Sequence, residues 1–204
     1  MRQCLELMDW KRAVFALYAA ARAGGADPGG AAAFRRGRDE LFAHHPQSPL
    51  TAEARATFAG LPYFPHDPAL RVEAALEPEA DGAELVIPTS TAEPTRFRRV
   101  GVVRPELPAG RVSLAVYWLE GYGGGLFLPF RDALAGRATY GGGRYLLDTV
   151  KGADLGASAD GRGLVLDFNY AYNPSCAYDP RWSCPLAPPE NRLDVPIEAG
   201  ERHE

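Results

Sequence analysis

The sequence predicts an α+β protein whose mainly antiparallel body is a barrel or split barrel with N-terminal helices packed on it. In the first sixty positions, apolar residues recur at three- and four-residue steps, which is typical of amphipathic helices. From position 61 the chain shows short β-prone segments divided by Gly, Pro, Asp and Asn, which indicates antiparallel meanders rather than βαβ units. We therefore expect a single domain, with a helical segment at 1–60 and a β body at 61–204.

Three helices are expected in the first segment. The first covers Leu5–Arg22, and Asp27-Pro28 is a start signal for the second, which ends at the prolines of "HHPQSPL". A third, short helix covers Ala52–Ala59, with Ser48-Pro49 or Thr51 as its cap. The second helix is expected to place most of its charged residues on its solvent face, and these are Arg35, Arg36, Arg38, Asp39 and Glu40.

Eight candidate strands follow at short spacing. They are Arg71–Leu76, Ala83–Ser90, Arg96–Val103, Arg111–Leu119, Leu126–Phe130, Ala138–Asp148, Gly163–Tyr172 and Asp194–Ile197. Eight short strands must protect their edges, and a closed or half-closed barrel does this most simply.

Composition argues against several classes of protein. The net charge of −4 lacks the basic excess typical of nucleic-acid binders, so no nucleic-acid partner is expected. No apolar run approaches the roughly 20 residues of a membrane span, and the run after Lys11-Arg12 is too short and Ala-rich for a secretion signal. Three cysteines, an odd number, fit a reducing compartment, which predicts a cytoplasmic protein.

The stretch "NYAYNPSCAYDPRWSCPLAPPENRL", at 169–193, is predicted to be an ordered coil rich in rings and amides. Alternation along the preceding strand places Asp167 and Asn169 on one face, and because Asp and Asn are poor strand formers, both require partners. Either they bond the backbone of the Pro-rich coil and hold it down, or they also face a ligand.

Cys176 and Cys184 stand in this coil, separated by seven residues. Zinc requires four ligands, and neither a CxxC pair nor histidines at ligand spacing are present. We expect both cysteines to be reduced, packed as small hydrophobic residues and free of metal. A redox or disulfide pair is the alternative.

Two glycine runs, "GYGGG" and "YGGGRY", fit no phosphate loop, because no GK[ST] is present and no helix follows. Glycine inside a strand pattern indicates a bulge, a corner or a close backbone approach. Arg144 follows the second run, with Tyr140 on the same face, and it either clamps a carboxylate or phosphate or pairs with a carboxylate of the chain. The carboxylate candidates are Asp148, Asp167 and Asp132.

Five stretches together resemble one known family. They are "RDELFAHHPQSPL", "GLPYFP", "LFLPFRDALAGRATYGGGRYLLDT", "LDFNYAYNPSCAYDPRWSCPLAPPENRL" and "IEAGE". They resemble the bacterial and archaeal family called domain of unknown function 1684, from about Trp10 to Glu201, with Phe34 where the family has a tryptophan. The resemblance implies a single domain of about this length and a soluble intracellular protein. It implies no activity, cofactor or catalytic residue.

These features predict binding of a small polar or anionic organic molecule in a pocket under the coil at 169–193. Arg144 would bind the anion, and Asp167 is the acid/base candidate if the protein is an enzyme. Asn169, Asn173 and Tyr178 would orient the ligand, and Tyr140, Tyr172 and Trp182 would form an apolar wall.

A flavin-binding split barrel is one version of this hypothesis, although no phosphate signature assigns the cofactor. The alternative is a non-enzymatic interaction module, in which the coil docks a protein partner or closes a homodimer, since Tyr, Trp and Arg favour interface cores. Exposure distinguishes the two hypotheses. Pocket residues point inward, whereas an interface exposes Tyr178, Trp182 and Pro188-Pro189 as one patch.

Overall fold

The structure is a computed structural model that describes residues 1–79, 82, 84–90 and 95–203. Its N-terminal part is helical, as predicted, with α1 at Arg2–Gly24, α2 at Pro28–His44 and α3 at Ala52–Ala56. The Asp27 side chain caps α2 by accepting the Gly29 N–H at 3.1 Å, and Thr51 Oγ1 caps α3 by accepting the Ala54 N–H at 3.1 Å. None of the described helices combines the length and apolar character needed to cross a membrane.

Replacing Asp27 by Ala is expected to lower the free energy of unfolding by about 1 kcal/mol, because one amide at the start of α2 loses its acceptor. Asp27→Asn keeps an acceptor oxygen at the same place and should retain most of the stability. Urea unfolding of both variants measures the difference. Equal losses in the two would show that the charge at the helix start, rather than the hydrogen bond, stabilises α2.

Ten strands follow the helices within the described residues. They are β1 (Arg71–Ala75), β2 (Glu77–Pro78), β3 (Glu84–Ile87), β4 (Thr95–Val103), β5 (Glu106–Leu107), β6 (Gly110–Arg111), β7 (Leu114–Leu119), β8 (Gly125–Phe130), β9 (Arg144–Asp148) and β10 (Gly163–Asp167). The central sheet has the order β2-β4-β7-β8-β9, with β3 also paired to β4, while β1 pairs with β10 and β5 with β6. These ladders are antiparallel, which confirms the predicted α+β class. The described strands close no barrel, and the sheets pack as a split-barrel-like body.

The central sheet is covered on both faces along the first four residues of β7. In β7, Leu114 and Val116 belong to the core shared with β1 and β10, whereas Ala115 and Tyr117 belong to the core shared with α1 and α2. Successive side chains of a strand point to opposite faces, so a strand buried on both sides is apolar without interruption. The helices therefore pack on one side of the sheet. Other residues of α1 and α2 line the cavity described below.

Two strands are shorter than the sequence predicts. The strand predicted over Ala138–Asp148 begins only at Arg144, because Gly143 turns the chain at a φ of 94°. A Cβ added to Gly143 would lie 2.6 Å from the carbonyl oxygen of Phe130, so another backbone passes where a side chain would stand. The strand predicted over Gly163–Tyr172 ends at Asp167 and continues as a 3₁₀ turn.

The strand predicted over Asp194–Ile197 is irregular in the structure, because the Ile197 N–H donates to Asp132 Oδ2 at 3.1 Å rather than to a neighbouring strand. The strand predicted over Ala83–Ser90 corresponds to β3, and its first residue, Ala83, lies outside the described residues.

Candidate functional site

A cavity of about 230 Å³ lies between α1, the second half of α2 and the first half of the coil at 169–193. Its apolar wall is formed by Trp10, Val14, Phe42, Pro49 and Trp182. Trp10, Val14 and Tyr18 recur at four-residue steps, so α1 presents them on one face, toward the coil. The Trp182 ring is fixed by its Nε1–H, which donates to the Pro49 carbonyl at 3.2 Å.

Glu201 is fully buried and binds the coil to α2 beside this cavity. Its Oε1 accepts the Arg38 Nε–H at 2.8 Å and lies 2.5 Å from Arg38 Nη2. Its Oε2 accepts the Tyr178 hydroxyl and the Asn173 N–H, each at 2.7 Å. Arg38, Asn173 and Tyr178 all line the cavity, so one carboxylate orders three parts of its wall. Charge-assisted hydrogen bonds of this kind are the strong ones in proteins.

Asn191 holds the far end of the coil against the central sheet. Its side chain is fully buried, accepts the Ala115 N–H at 2.7 Å, and donates to the carbonyls of Ala115 at 2.9 Å and Pro129 at 2.7 Å. The coil is therefore fixed at both ends by polar side chains, in addition to isolated backbone bridges at Tyr172 and Arg192, which explains how a Pro-rich segment keeps one shape.

Three buried polar atoms of the cavity-lining residues have no hydrogen-bond partner among the described residues. They are the hydroxyls of Tyr18 and Tyr172 and the side-chain oxygen of Asn173. Burial raises the pKa of each of these tyrosines well above the usual range for a phenol. Both hydroxyls therefore keep their protons and remain donors. A buried polar group without a partner costs about 1–3 kcal/mol, so these three atoms are candidates to bind a further polar group.

The charged residues that line the cavity are all cationic: Lys11, Arg38 and Lys151. Arg38 is neutralised by Glu201, and Lys151 Nζ lies 3.0 Å from Asp148 Oδ2. Lys11 is exposed on α1 and forms no ion pair with a described carboxylate. The mouth of the cavity therefore carries one uncompensated positive charge.

Cys184 lines the cavity, and Cys176 lies next to it; both are buried and free. Hydrogen bonds from the Cys184 thiol and the Tyr140 hydroxyl outweigh burial and lower the pKa of the Cys176 thiol to about 6. The same bond to Cys176, together with burial, raises the pKa of the Cys184 thiol above its usual range. The described residues contain no cluster of three or more His, Cys, Asp or Glu able to hold a metal ion.

The structure places Arg144 away from this cavity, in an ion pair with Asp132 at 2.9 Å, which is one of the carboxylate partners considered above. The guanidinium is 1% exposed and also donates to the carbonyls of Ile197, Ala199 and Glu201. With these partners, the Arg144 guanidinium is satisfied within the chain and clamps the C-terminal segment onto β9.

Asp167 and Asn169 also lie outside the cavity, and they hold a different segment from the one the sequence suggests. Asp167 pairs with Arg71 at 3.2 Å and accepts the Asn169 Nδ2–H at 2.8 Å. Asn169 bonds both backbone groups of Asp67, rather than the Pro-rich coil, because the chain turns into a 3₁₀ turn directly after Asp167. Tyr140 is likewise outside the cavity, with its hydroxyl 3.6 Å from Cys176 Sγ.

Of the residues predicted for the site, the structure thus brings Asn173, Tyr178, Tyr172 and Trp182 together around the cavity. Sequence reasoning missed Tyr18, Arg38 and Glu201. Arg38 is predicted on the solvent face of α2 but is only 6% exposed. The signal was its position between Phe34 and Phe42 at four-residue steps, which places it on the buried face of the helix.

Comparisons with known proteins add a family and a fold. The profile of the family described as "protein of unknown function (DUF1684)" matches residues 56–202. The chain is also similar to the solution NMR structure of an uncharacterised protein of Haloarcula marismortui, with 36% identity and a TM-score of 0.60. That match covers 84% of this chain and 91% of the other. No curated protein matches the chain.

Proposed function

This chain belongs to the DUF1684 family, and from its cavity we propose that it binds a small polar or anionic organic molecule between α1, α2 and the coil. The observation that carries the proposal is the group of three unpartnered polar atoms, on Tyr18, Tyr172 and Asn173, in residues that line one cavity. Native proteins leave few buried polar atoms without partners, and a bound ligand is one way to satisfy them.

The unpartnered atoms indicate the chemistry of the ligand. The two phenols are donors, so the ligand offers acceptor oxygens, as a carboxylate or carbonyl does. The Asn173 oxygen is an acceptor, so the ligand also carries an N–H or O–H group. The indole rings and Val14 favour an apolar body, and the uncompensated Lys11 at the mouth favours a negative charge.

The size of the cavity limits the ligand further. Sites for drug-sized ligands usually have volumes of about 300–1,000 Å³. At about 230 Å³ the cavity suits a smaller metabolite, and a flavin nucleotide would exceed it.

Exposure supports this proposal over the interaction module. Tyr178 and Trp182 are half-buried against the cavity and bond Glu201 and Pro49, Pro188 is buried, and Pro189 is exposed. These rings therefore form no continuous exposed patch of the kind that marks a protein interface.

Replacing Tyr18 and Tyr172 by Phe is expected to weaken ligand binding by about tenfold per hydroxyl, because each removes a hydrogen-bond donor. The free protein should keep its stability or gain up to about 1 kcal/mol, because an unsatisfied buried hydroxyl is removed. Thermal shift and calorimetry with benzoate, hexanoate and their neutral amides measure both effects. Tyr122→Phe, on a fully exposed side chain, is the matched control and should change neither.

Native mass spectrometry of freshly purified protein should show a bound small molecule that the double variant loses. No bound molecule in that spectrum, together with no binding of any of the four probes, would refute the proposed function. Binding of the amides as tightly as the carboxylates would retain the cavity as a binding site but remove the role of the Lys11 charge.

A further inference from the structure

We propose that Cys176 and Cys184 form a hydroperoxide-reactive dithiol, in which Cys176 attacks the peroxide and Cys184 closes a reversible disulfide. This site is independent of the ligand proposed above, because it requires only the two thiols and their neighbours. It gives the chain a redox function in addition to the binding function.

The two thiols are placed as a pair. Their side chains are hydrogen-bonded to each other, and the described structure leaves both as free cysteines. Seven residues separate them in the sequence, so a disulfide between them closes a short loop inside the coil. Because the two side chains interact in the reduced chain, the loop would close between neighbouring groups.

The backbone around Cys184 is fixed by a residue from outside the coil. Ser90 Oγ accepts the Cys184 N–H at 3.0 Å, and the Ser90 N–H donates to the Cys184 carbonyl at 2.9 Å. Ser90 also hydrogen-bonds the Cys176 sulfur. Ser90 thus contacts both cysteines and fixes the backbone of Cys184 beside Cys176.

The surroundings of Cys176 favour its thiolate. The Tyr140 hydroxyl lies 3.6 Å from the Cys176 sulfur, and burial with the hydrogen bond to Cys176 raises the pKa of Tyr140 to about 12, so this hydroxyl stays a donor. A thiol with a pKa of about 6 is about 90% thiolate at pH 7, compared with a few per cent for an ordinary cysteine. Low-pKa cysteines beside a second cysteine are typical redox sites.

The cavity gives access to the Cys184 side of the pair. Cys184 stands in the cavity wall, and Cys176 and Cys184 are 8% and 5% exposed. Hydrogen peroxide is little larger than water, so it reaches sulfurs that a bulky reagent reaches slowly.

The reaction balances with hydroperoxide as the oxidant. The Cys176 thiolate attacks one peroxide oxygen, the O–O bond breaks, and the hydroxide that leaves takes up a proton as water, giving a sulfenic acid. The Cys184 sulfur then attacks the Cys176 sulfur, the S–O bond breaks, and the second hydroxide leaves as water with the proton from Cys184. Two thiols and one hydrogen peroxide become one disulfide and two waters, with two electrons passing from sulfur to oxygen.

Treating the reduced full chain with equimolar hydrogen peroxide at pH 7 tests the proposal. We expect the peptides of Cys176 and Cys184 to be joined, with a mass about 2 Da below their sum, and dithiothreitol to separate them again. The rate should be half-maximal near pH 6, where the Cys176 thiolate forms. Cys4, which is exposed on α1, is replaced by Ser throughout.

Two variants assign the roles. Cys184→Ser should leave a sulfenic acid on Cys176 that dimedone labels, whereas Cys176→Ser should slow thiol loss at pH 7 by at least about tenfold. Tyr140→Phe should move the half-maximal pH upward and leave the melting temperature nearly unchanged. A chain denatured in guanidinium, where both thiols react alike, is the reference for an unstructured pair.

Separate oxidation of the two cysteines without a joined peptide would overturn the proposal. So would a joined peptide that forms no faster in the folded than in the denatured chain, or a half-maximal pH near 8.5. The peroxide reaction of the chain that keeps both Cys176 and Cys184 needs no substitution at either thiol. A variant that fails to fold therefore leaves this test intact.

Discussion

Replacing Glu201 by Gln is expected to lower the free energy of unfolding by about 3–5 kcal/mol, because the substitution leaves the buried Arg38 guanidinium without its counter-charge. The amide of Gln also offers only one acceptor oxygen. Arg38, Tyr178 and the Asn173 N–H all donate to the carboxylate, so at least one donor is left unsatisfied.

Glu201→Gln should change the shape of the cavity as well as lower the stability of the protein. Asn173 and Tyr178 are oriented by the Glu201 carboxylate, so Glu201→Gln should also weaken the binding of benzoate or hexanoate to the fraction that remains folded. Urea unfolding gives the stability, and calorimetry gives the affinity. Glu198→Gln, three residues earlier and exposed, is the control and should cost less than about 0.5 kcal/mol. If Glu201→Gln costs no more than this control, Glu201 does not hold the coil in place.

Replacing Arg144 by Lys is expected to lower the free energy of unfolding by about 3 kcal/mol. The planar guanidinium donates to Asp132 and to three carbonyls of the C-terminal segment, and an ammonium group cannot reach all four acceptors. Hydrogen bonds to a charged group contribute about 1.5–3 kcal/mol each, and the loss of two of them, partly offset by water, accounts for this estimate.

The ligand affinity of Arg144→Lys distinguishes a structural role of Arg144 from a role in ligand binding. Because Arg144 lies outside the cavity, Arg144→Lys should lower the melting temperature and leave the affinity per folded molecule unchanged. Arg104→Lys alters an ion pair with Glu77 in which both side chains are partly exposed, and it should cost less than about 1 kcal/mol. Weaker binding by Arg144→Lys without a loss of stability would restore the anion clamp that the sequence suggests.

The fold class follows from the sequence because periodicity reports which face of an element is buried. Positions such as Val14 and Tyr18 on α1, and the uninterrupted apolar run of β7, predict their packing without any knowledge of their partners. Strand ends are less predictable. Gly143 ends a β pattern because the Phe130 backbone passes close by, and that approach depends on a segment thirteen residues earlier in the chain.

The candidate site is predictable only in part, for a related reason. The alternation around Asp167 and Asn169 predicts correctly that both residues have partners, but those partners, Arg71 and Asp67, are 96 and 102 positions away. Asn173, Tyr178 and Trp182 are recognisable from the composition of the coil itself. Arg38 is not recognisable in this way, because a charged residue in a helix is predicted to be solvent-exposed unless its buried partner is known.

The ion pair of Arg38 with Glu201 also has a consequence for synthesis. The two residues are 163 positions apart, and at about 5–20 residues per second a ribosome takes roughly 10–30 s to make the second after the first. During that interval α2 carries Arg38, which is buried in the native protein, without its counter-charge. Once the coil has been made, Asn173 and Tyr178 still lack the Glu201 carboxylate that anchors them. Contacts between such distant positions form late, so the nascent protein is open around its future cavity for most of its translation. A ligand that needs the ordered positions of Asn173 and Tyr178 would therefore bind only after Glu201 has been made and has paired with Arg38.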